Sequence, residues 1–287
     1  MGAVRRALQT SLRSLWTLAL AQIRQRRPVI LGYHGIASCH LRDDMFLLQV
    51  PPARFRWQLE MMRDAGFEFV TVAELVRELA AGRRGCGLAA VSFDDGMRNN
   101  RTTALPILRE LGIRATVYVP TGWIGGRSPW ISDAADNAIL DREDIRDLAD
   151  QGWEIGAHTV THADLSRLGY DEARREIQQS CEDLLALTGT PVETFAYPFG
   201  RYGTTAVAAV RDSGLRAAVT TGARHWDPFE LPRAMVGGAD PYPLVLLKIL
   251  DLYEPLLSSP PMRRLRTWSK RIRGDALRDA QIDHDLL

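Results

Sequence analysis

Two adjacent carboxylates, Asp94 and Asp95, and two histidines four residues apart, His158 and His162, are the residue types from which this chain could build a hydrolytic metal site. Two histidines with one carboxylate form an established catalytic ligand set for zinc, which leaves positions for a water and a substrate oxygen. A second carboxylate beside that water would take its proton. Neighbouring side chains on a strand point to opposite sides, so Asp94 and Asp95 are expected to do different jobs. Histidines at i and i+4 share one face of a helical turn, which would let both imidazoles reach one ion. Taken singly, each piece has a plain reading: an Asp-Asp-Gly turn after a strand, and a pair of histidines with no ion between them. Together, at one end of one sheet, they point to metal-assisted hydrolysis.

The elements that must position these groups are legible in the apolar pattern. Leu88-Ala89-Ala90-Val91-Ser92-Phe93 runs straight into the two aspartates and reads as a strand buried on both faces, as in a parallel sheet. Further strands are predicted at 28–35, 67–72, 115–119, 153–158, 194–200 and 215–221, seven in all. Between them lie helical segments ending at Gly66, Gly82, Gly112, Gly152, Gly189 and Gly214. Strands alternating with helices predict parallel βα units closed, or nearly closed, into a barrel. Such folds keep their chemistry at the C-terminal ends of the strands, where Asp94, Asp95 and His158 fall. The segment from 120 to 141 is rich in Gly, Pro, Trp and Asp, and a loop of that length is usually functional.

Composition narrows the function classes. A chain of 287 residues with 46% hydrophobic and 25% charged residues has the content of an ordinary globular α/β protein. Its net charge of +1 divides unevenly: residues 1–27 carry +6, residues 263–287 carry +3, and the middle therefore carries −8. An acidic body argues against a nucleic-acid groove through the site, while the basic ends suit contact with an anionic membrane surface. Cys39, Cys86 and Cys181 form neither a disulfide framework nor a metal-type pair. No apolar run is long enough to span a bilayer. Residues 1–27 read as a basic amphipathic helix, lying on the domain or on a membrane, ahead of the alternative of a weak signal peptide. The first reading favours the cytoplasm or a membrane periphery, and the second would mean export. Residues 241–287 read as a basic helical extension.

The segments Ser92-Phe93-Asp94-Asp95-Gly96, His158-Thr159-Val160-Thr161-His162 and Phe195-Ala196-Tyr197-Pro198-Phe199-Gly200 resemble, in that order, the motifs of the polysaccharide deacetylase family (NodB homology, carbohydrate esterase family 4). The resemblance implies a distorted (β/α)7 barrel over residues 28–240 with helical N- and C-terminal extensions. It implies a divalent ion held by Asp95, His158 and His162, zinc first, with cobalt and nickel as alternatives. Asp94 would be the general base, and the backbone N–H of Phe199 the oxyanion donor. The implied reaction is hydrolysis of the N-acetyl group of an amino sugar within a glycan.

This chain departs from the family pattern twice. Thr194 and Ala196 stand where an arginine usually precedes the Pro-aromatic-Gly turn, and Leu231-Pro232-Arg233 stands where a late Leu-x-His motif usually supplies the acid. A branch similar to the bacterial exopolysaccharide N-deacetylases instead ends its first strand in Tyr-His, matched by Leu31-Gly32-Tyr33-His34. By that resemblance His34 is the general acid, with His225 its rival, and Arg233 replaces the missing arginine beside Asp94. Trp123, Trp130 and Tyr197 are candidates to stack against sugar rings, with packing in the loops as the plain alternative. Two other functions keep the barrel: deformylation or another non-peptide amide hydrolysis on a lipid-linked or small substrate, and carbohydrate binding without turnover.

Overall fold

The computed structural model describes residues 16–38, 44, 47–131, 137–221 and 226–252. The first described element is a helix, α1, over 16–24. It buries Trp16, Leu20 and Ile23 and sets Trp16 edge-on to Trp57, with ring centroids 5.4 Å apart. This part of the basic N-terminal segment therefore packs on the protein. Residues 1–15, and the basic stretch beyond 252, lie outside the described residues.

The chain then alternates strands and helices. In order these are β1 (Val29–Tyr33), β2 (Gly35–Ile36), β3 (Gln49–Val50), α2 (Pro52–Asp64), β4 (Glu68–Val70), α3 (Val72–Ala80), β5 (Leu88–Phe93), α4 (Leu105–Leu111), β6 (Thr116–Val119) and α5 (Arg142–Asp150). There follow β7 (Glu154–Ala157), α6 (Tyr170–Thr188), β8 (Thr194–Ala196), α7 (Thr204–Arg211), β9 (Ala217–Thr220), β10 (Leu231–Pro232), β11 (Ala234–Met235) and α8 (Tyr242–Ile249). Local chemistry explains the starts and stops. Thr71 with Glu74, and Asp141 with Asp144, form reciprocal capping boxes on α3 and α5. Gly112 and Gly189 end α4 and α6 in the left-handed conformation that glycine adopts without steric cost.

All the strand pairs among the described residues are parallel, and the main sheet runs β10-β9-β8-β7-β6-β5-β1-β11. β10 and β11 belong to one stretch, 231–235, which pairs with β9 through its first half and with β1 through its second. That stretch is the stave that makes the barrel nearly closed, with Arg233 at its centre. The prediction of seven strands is met in number, with one exchange. The 67–72 segment is not a stave: β4 pairs only with the base of β5, Glu68 opposite Leu88. The short Leu231-Pro-Arg run, with a proline and few apolar residues, carries little strand signal, yet closes the ring. The chain divides into two compact units at Pro241 and Tyr242, and α8 is the described element of the second.

The core fills the space between the staves and α3. Ile30, Val72, Leu75, Ala90, Tyr118, Val219 and Leu231 form one cluster, each at most 1% exposed. Burial of such side chains is worth about 1.5–3 kcal/mol apiece, an upper estimate against an extended chain. The staves are thereby held in a register that sets the site.

Candidate active site

The register of neighbouring staves brings the motifs together. Tyr33 pairs with Phe93, so His34 stands level with Asp94, and the Asp94 N–H donates to the Tyr33 carbonyl at 2.9 Å. Ala157 pairs with Phe195, which sets His158 level with Ala196. Asp95, His158 and His162 converge, with one ligating atom from each within 4.8 Å of the others, and all three are buried. His162 Nε2 lies 3.1 Å from Asp95 Oδ1 and His158 Nε2 lies 3.4 Å from the same oxygen.

The residues fit a divalent ion by their chemistry as well as their spacing. Ring atom Nδ1 of His158 lies 2.7 Å from the Ala196 carbonyl, which can only accept, so Nδ1 carries a proton and Nε2 is the ring atom turned to Asp95. Burial raises the Asp95 pKa, but hydrogen bonds from His158 and His162 outweigh it and hold the carboxyl well below its ordinary range. Burial lowers the pKa of His162, against the pull of Asp95. An ionised carboxylate and a neutral imidazole are the states a metal ligand set requires.

The two histidines do not meet by way of a helical turn. The segment from 158 to 162 is irregular, and Thr159 and His162 both have positive φ, 64° and 61°. A β-branched residue in that region is strained, so the surroundings must hold it. Glu176 on α6 does much of this, accepting from the N–H groups of Val160 and Thr161 at 2.9 and 3.0 Å and from the Thr161 hydroxyl at 3.0 Å. Thr121 and Gly122 donate to the carbonyls of Thr159 and Val160. The i, i+4 spacing was a true signal, but a loop delivers it.

Asp94 is handled differently. Arg233 donates to both its oxygens at 2.6 Å in a bidentate pair, and also to Ser92 Oγ at 3.2 Å and the Thr220 carbonyl at 3.4 Å. Burial would raise the Asp94 pKa, but the Arg233 charge and hydrogen bonds turn it downward, helped by His158 and His34. Asp94 is thereby held as a carboxylate in a fixed orientation, a state able to accept a proton. His34 is half-buried, and its carbonyl accepts from Asn100 Nδ2 at 2.8 Å. His225 lies outside the described residues.

The aromatic candidates separate. Trp130 donates its indole N–H to Asp95 Oδ2 at 3.1 Å and stacks on His162, ring centroids 3.8 Å apart at 12°. It braces Asp95 and His162 rather than standing in the cleft as a bare sugar platform. Trp123 meets Trp130 edge-on and donates to the Thr161 carbonyl at 3.2 Å. Phe199, with φ 58°, is 51% exposed and sets its ring against His162 at 4.4 Å. Tyr197 is not a substrate contact: it is 1% exposed, its hydroxyl donates to the Phe229 carbonyl, and its ring stacks on Tyr202. The 120–141 segment reaches the site because it hydrogen-bonds back to the Asp95 loop, Leu140 N–H to Gly96 and Arg98 N–H to Ala138. Glu176 and the Ala196 carbonyl carried no signal in the sequence, since each acts through a contact that spacing does not show.

Comparison with known proteins points the same way. The polysaccharide deacetylase profile matches residues 81–218, a span that includes both aspartates and both ligand histidines. The YxkH protein of Bacillus subtilis (strain 168), provisionally described as a polysaccharide deacetylase, is 27% identical over 207 residues, spanning 70% of this chain and 68% of its own. Poly-beta-1,6-N-acetyl-D-glucosamine N-deacetylase of Staphylococcus aureus (strain MRSA252) is 21% identical over 212 residues, 67% of this chain and 71% of its own. Among solved structures, the Streptococcus pyogenes deacetylase PplD in complex with acetate superposes with a TM-score of 0.67 at 25% identity, covering 78% of this chain and 98% of that one.

Proposed function

Since the chain belongs to the polysaccharide deacetylase family, and is thereby a hydrolase of non-peptide carbon–nitrogen bonds, we propose that it removes N-acetyl groups from hexosamine residues of a glycan, with zinc as the ion. The observation that carries this reading is the convergence of Asp95, His158 and His162 beside an Asp94 held by Arg233. The substrate class is supported by the similarity to the Staphylococcus aureus poly-beta-1,6-N-acetyl-D-glucosamine enzyme.

A divalent ion in this ligand set supplies Lewis acidity, polarising an amide carbonyl and making a nearby water acidic enough to attack. The chain's own groups do the rest. Asp94 accepts the proton from the attacking water, and Arg233 keeps that carboxylate ionised and aimed. His34, level with Asp94 on the adjoining stave, donates a proton to the departing amine. The Phe199 N–H, at the end of β8 beside His162, is the oxyanion donor of this reading. The exposed Phe199 ring and the Trp123 side chain offer apolar surface to a sugar face.

The test is acetate release from β-1,6-linked N-acetylglucosamine oligomers, measured with the purified protein before and after chelation and after adding back zinc. Release that stops on chelation and returns with zinc is the expected result. Turnover unaffected by chelator, or zinc-loaded protein in which Asp95→Ala and His162→Ala keep full activity, would sink the proposal.

A further inference from the structure

The opposite end of the barrel carries a second feature that the hydrolytic site does not use. There a hollow of about 630 Å³ opens beside α3, at the level where β1, β9 and β10 begin. That volume lies within the range of small-ligand pockets. Its floor is apolar: Val76 and Leu231 belong to the main core cluster, and Leu79 and Trp226 pack against it. Its rim is cationic, formed by Arg26, Arg27, Arg84 and Arg216, and no carboxylate lines it among the described residues. Arg216 is partly neutralised by Glu193 at 2.9 Å. Arg26 and Arg84 are exposed and make no ion pair among the described residues.

We propose that this hollow binds a single-chain anionic amphiphile, with its alkyl chain on the apolar floor and its phosphate or carboxylate head among the arginines. Like charges gathered round a low-dielectric wall raise the local positive potential and attract an anion. Guanidinium groups match phosphate and carboxylate in geometry, and an alkyl chain covers apolar floor that water otherwise meets. A ligand with both characters accounts for both halves of the lining at once. The plain alternative is that the arginine stems merely cover apolar surface with their heads in water.

Calorimetric titration of the full chain with dodecyl phosphate, below its micelle concentration, separates the two. One saturable equivalent is expected. A neutral dodecyl poly(ethylene glycol) ether and inorganic phosphate should each bind at least tenfold more weakly. Arg26→Glu combined with Arg84→Glu, both at exposed positions, should weaken dodecyl phosphate at least tenfold. Ala80→Trp, which fills the hollow from an exposed position on α3, should abolish binding while leaving acetate release unchanged. Binding of the neutral ether as tight as dodecyl phosphate, equal binding of inorganic phosphate, or binding indifferent to both variants would each overturn the proposal.

Discussion

The two ends of this barrel each hold a carboxylate among hydrogen bonds, Asp94 buried and Glu154 half-buried, and they treat it in opposite ways. At the C-terminal end, Asp94 faces the Arg233 guanidinium across two 2.6 Å bonds and its pKa falls. At the N-terminal end, Glu154 has only neutral donors among the described residues: the Ala73 N–H at 2.8 Å, the Thr116 hydroxyl at 2.7 Å, and the Thr194 hydroxyl. Burial wins there, and its pKa rises. The backbone shows the same division. Of six non-glycine residues with positive φ among the described residues, four lie in the motifs of the site: Asp95, Thr159, His162 and Phe199. At the other end the turns after α4 and α6 give that conformation to Gly112 and Gly189. Where a side chain must act, the fold keeps it and bears the strain; where only a turn is needed, it uses glycine.

The largest effect should come from the group whose charge the catalytic end protects. Asp94→Asn keeps the shape and removes the proton acceptor, so the acetate release rate should fall by roughly 10²–10⁴-fold. Bound metal, counted by atomic absorption, should be unchanged because Asp95, His158 and His162 remain. Activity within a few-fold of the parent would remove Asp94 from the base role.

Next in size is the partner. Arg233→Met leaves Asp94 buried and unpaired, a change that costs about 3–5 kcal/mol when one member of a buried ion pair is removed. Urea unfolding above pH 7 should show that loss. In an Asp94→Asn background the same substitution should cost much less, since no buried charge is left stranded. An equal loss in both backgrounds would mean that Arg233 acts through its packing over the Tyr118 ring, 5.7 Å away, rather than through the carboxylate.

Trp130→Phe tests the catalytic end more gently. The ring can still stack on His162, but the donor to Asp95 Oδ2 is gone. Partners of metal ligands typically contribute about 10–100-fold in affinity, so zinc affinity measured against a competing chelator should drop within that range. No change would leave the stacking as the whole of its contribution.

These groups differ in how far the sequence exposes them. The Asp-Asp pair and the histidine spacing announce themselves because these residues lie within short motifs, and six glycines punctuate the helices plainly. Arg233 was legible only through the family resemblance, as a substitute for an arginine missing near Thr194. The closing stave escaped because a two-residue ladder on each side of Arg233 leaves no apolar period to read. The tertiary braces, Trp130 on His162 and Glu176 under the Val160 loop, are contacts across 32 and 16 residues that no local pattern encodes. The conformation of the His158–His162 segment was misjudged for a related reason, since i, i+4 spacing fits a helical turn and a strained loop alike.

The smallest predicted effect lies at the other end, and it bears most directly on the contrast. Thr194 relays a hydrogen-bond chain from the Tyr118 hydroxyl to Glu154, and Thr116 relays another from the Val72 N–H. Neutral dipoles arranged this well still do not offset burial, so the folded state holds the Glu154 proton more tightly than the unfolded chain. Between the unfolded value, about 4.3, and the raised folded value, the native state carries more bound proton, and stability must decline as pH climbs. Glu154→Gln has no proton to lose. The stability difference, variant minus parent, should therefore grow with pH across that window by about 1.4 kcal/mol per unit of elevation, then level off. Urea midpoints at closely spaced pH values would trace it, and other titrating groups cancel in the subtraction. Two parallel curves would show that hydroxyl and amide donors stabilise the anion as well as Arg233 does, and the electrostatic difference between the two ends would vanish.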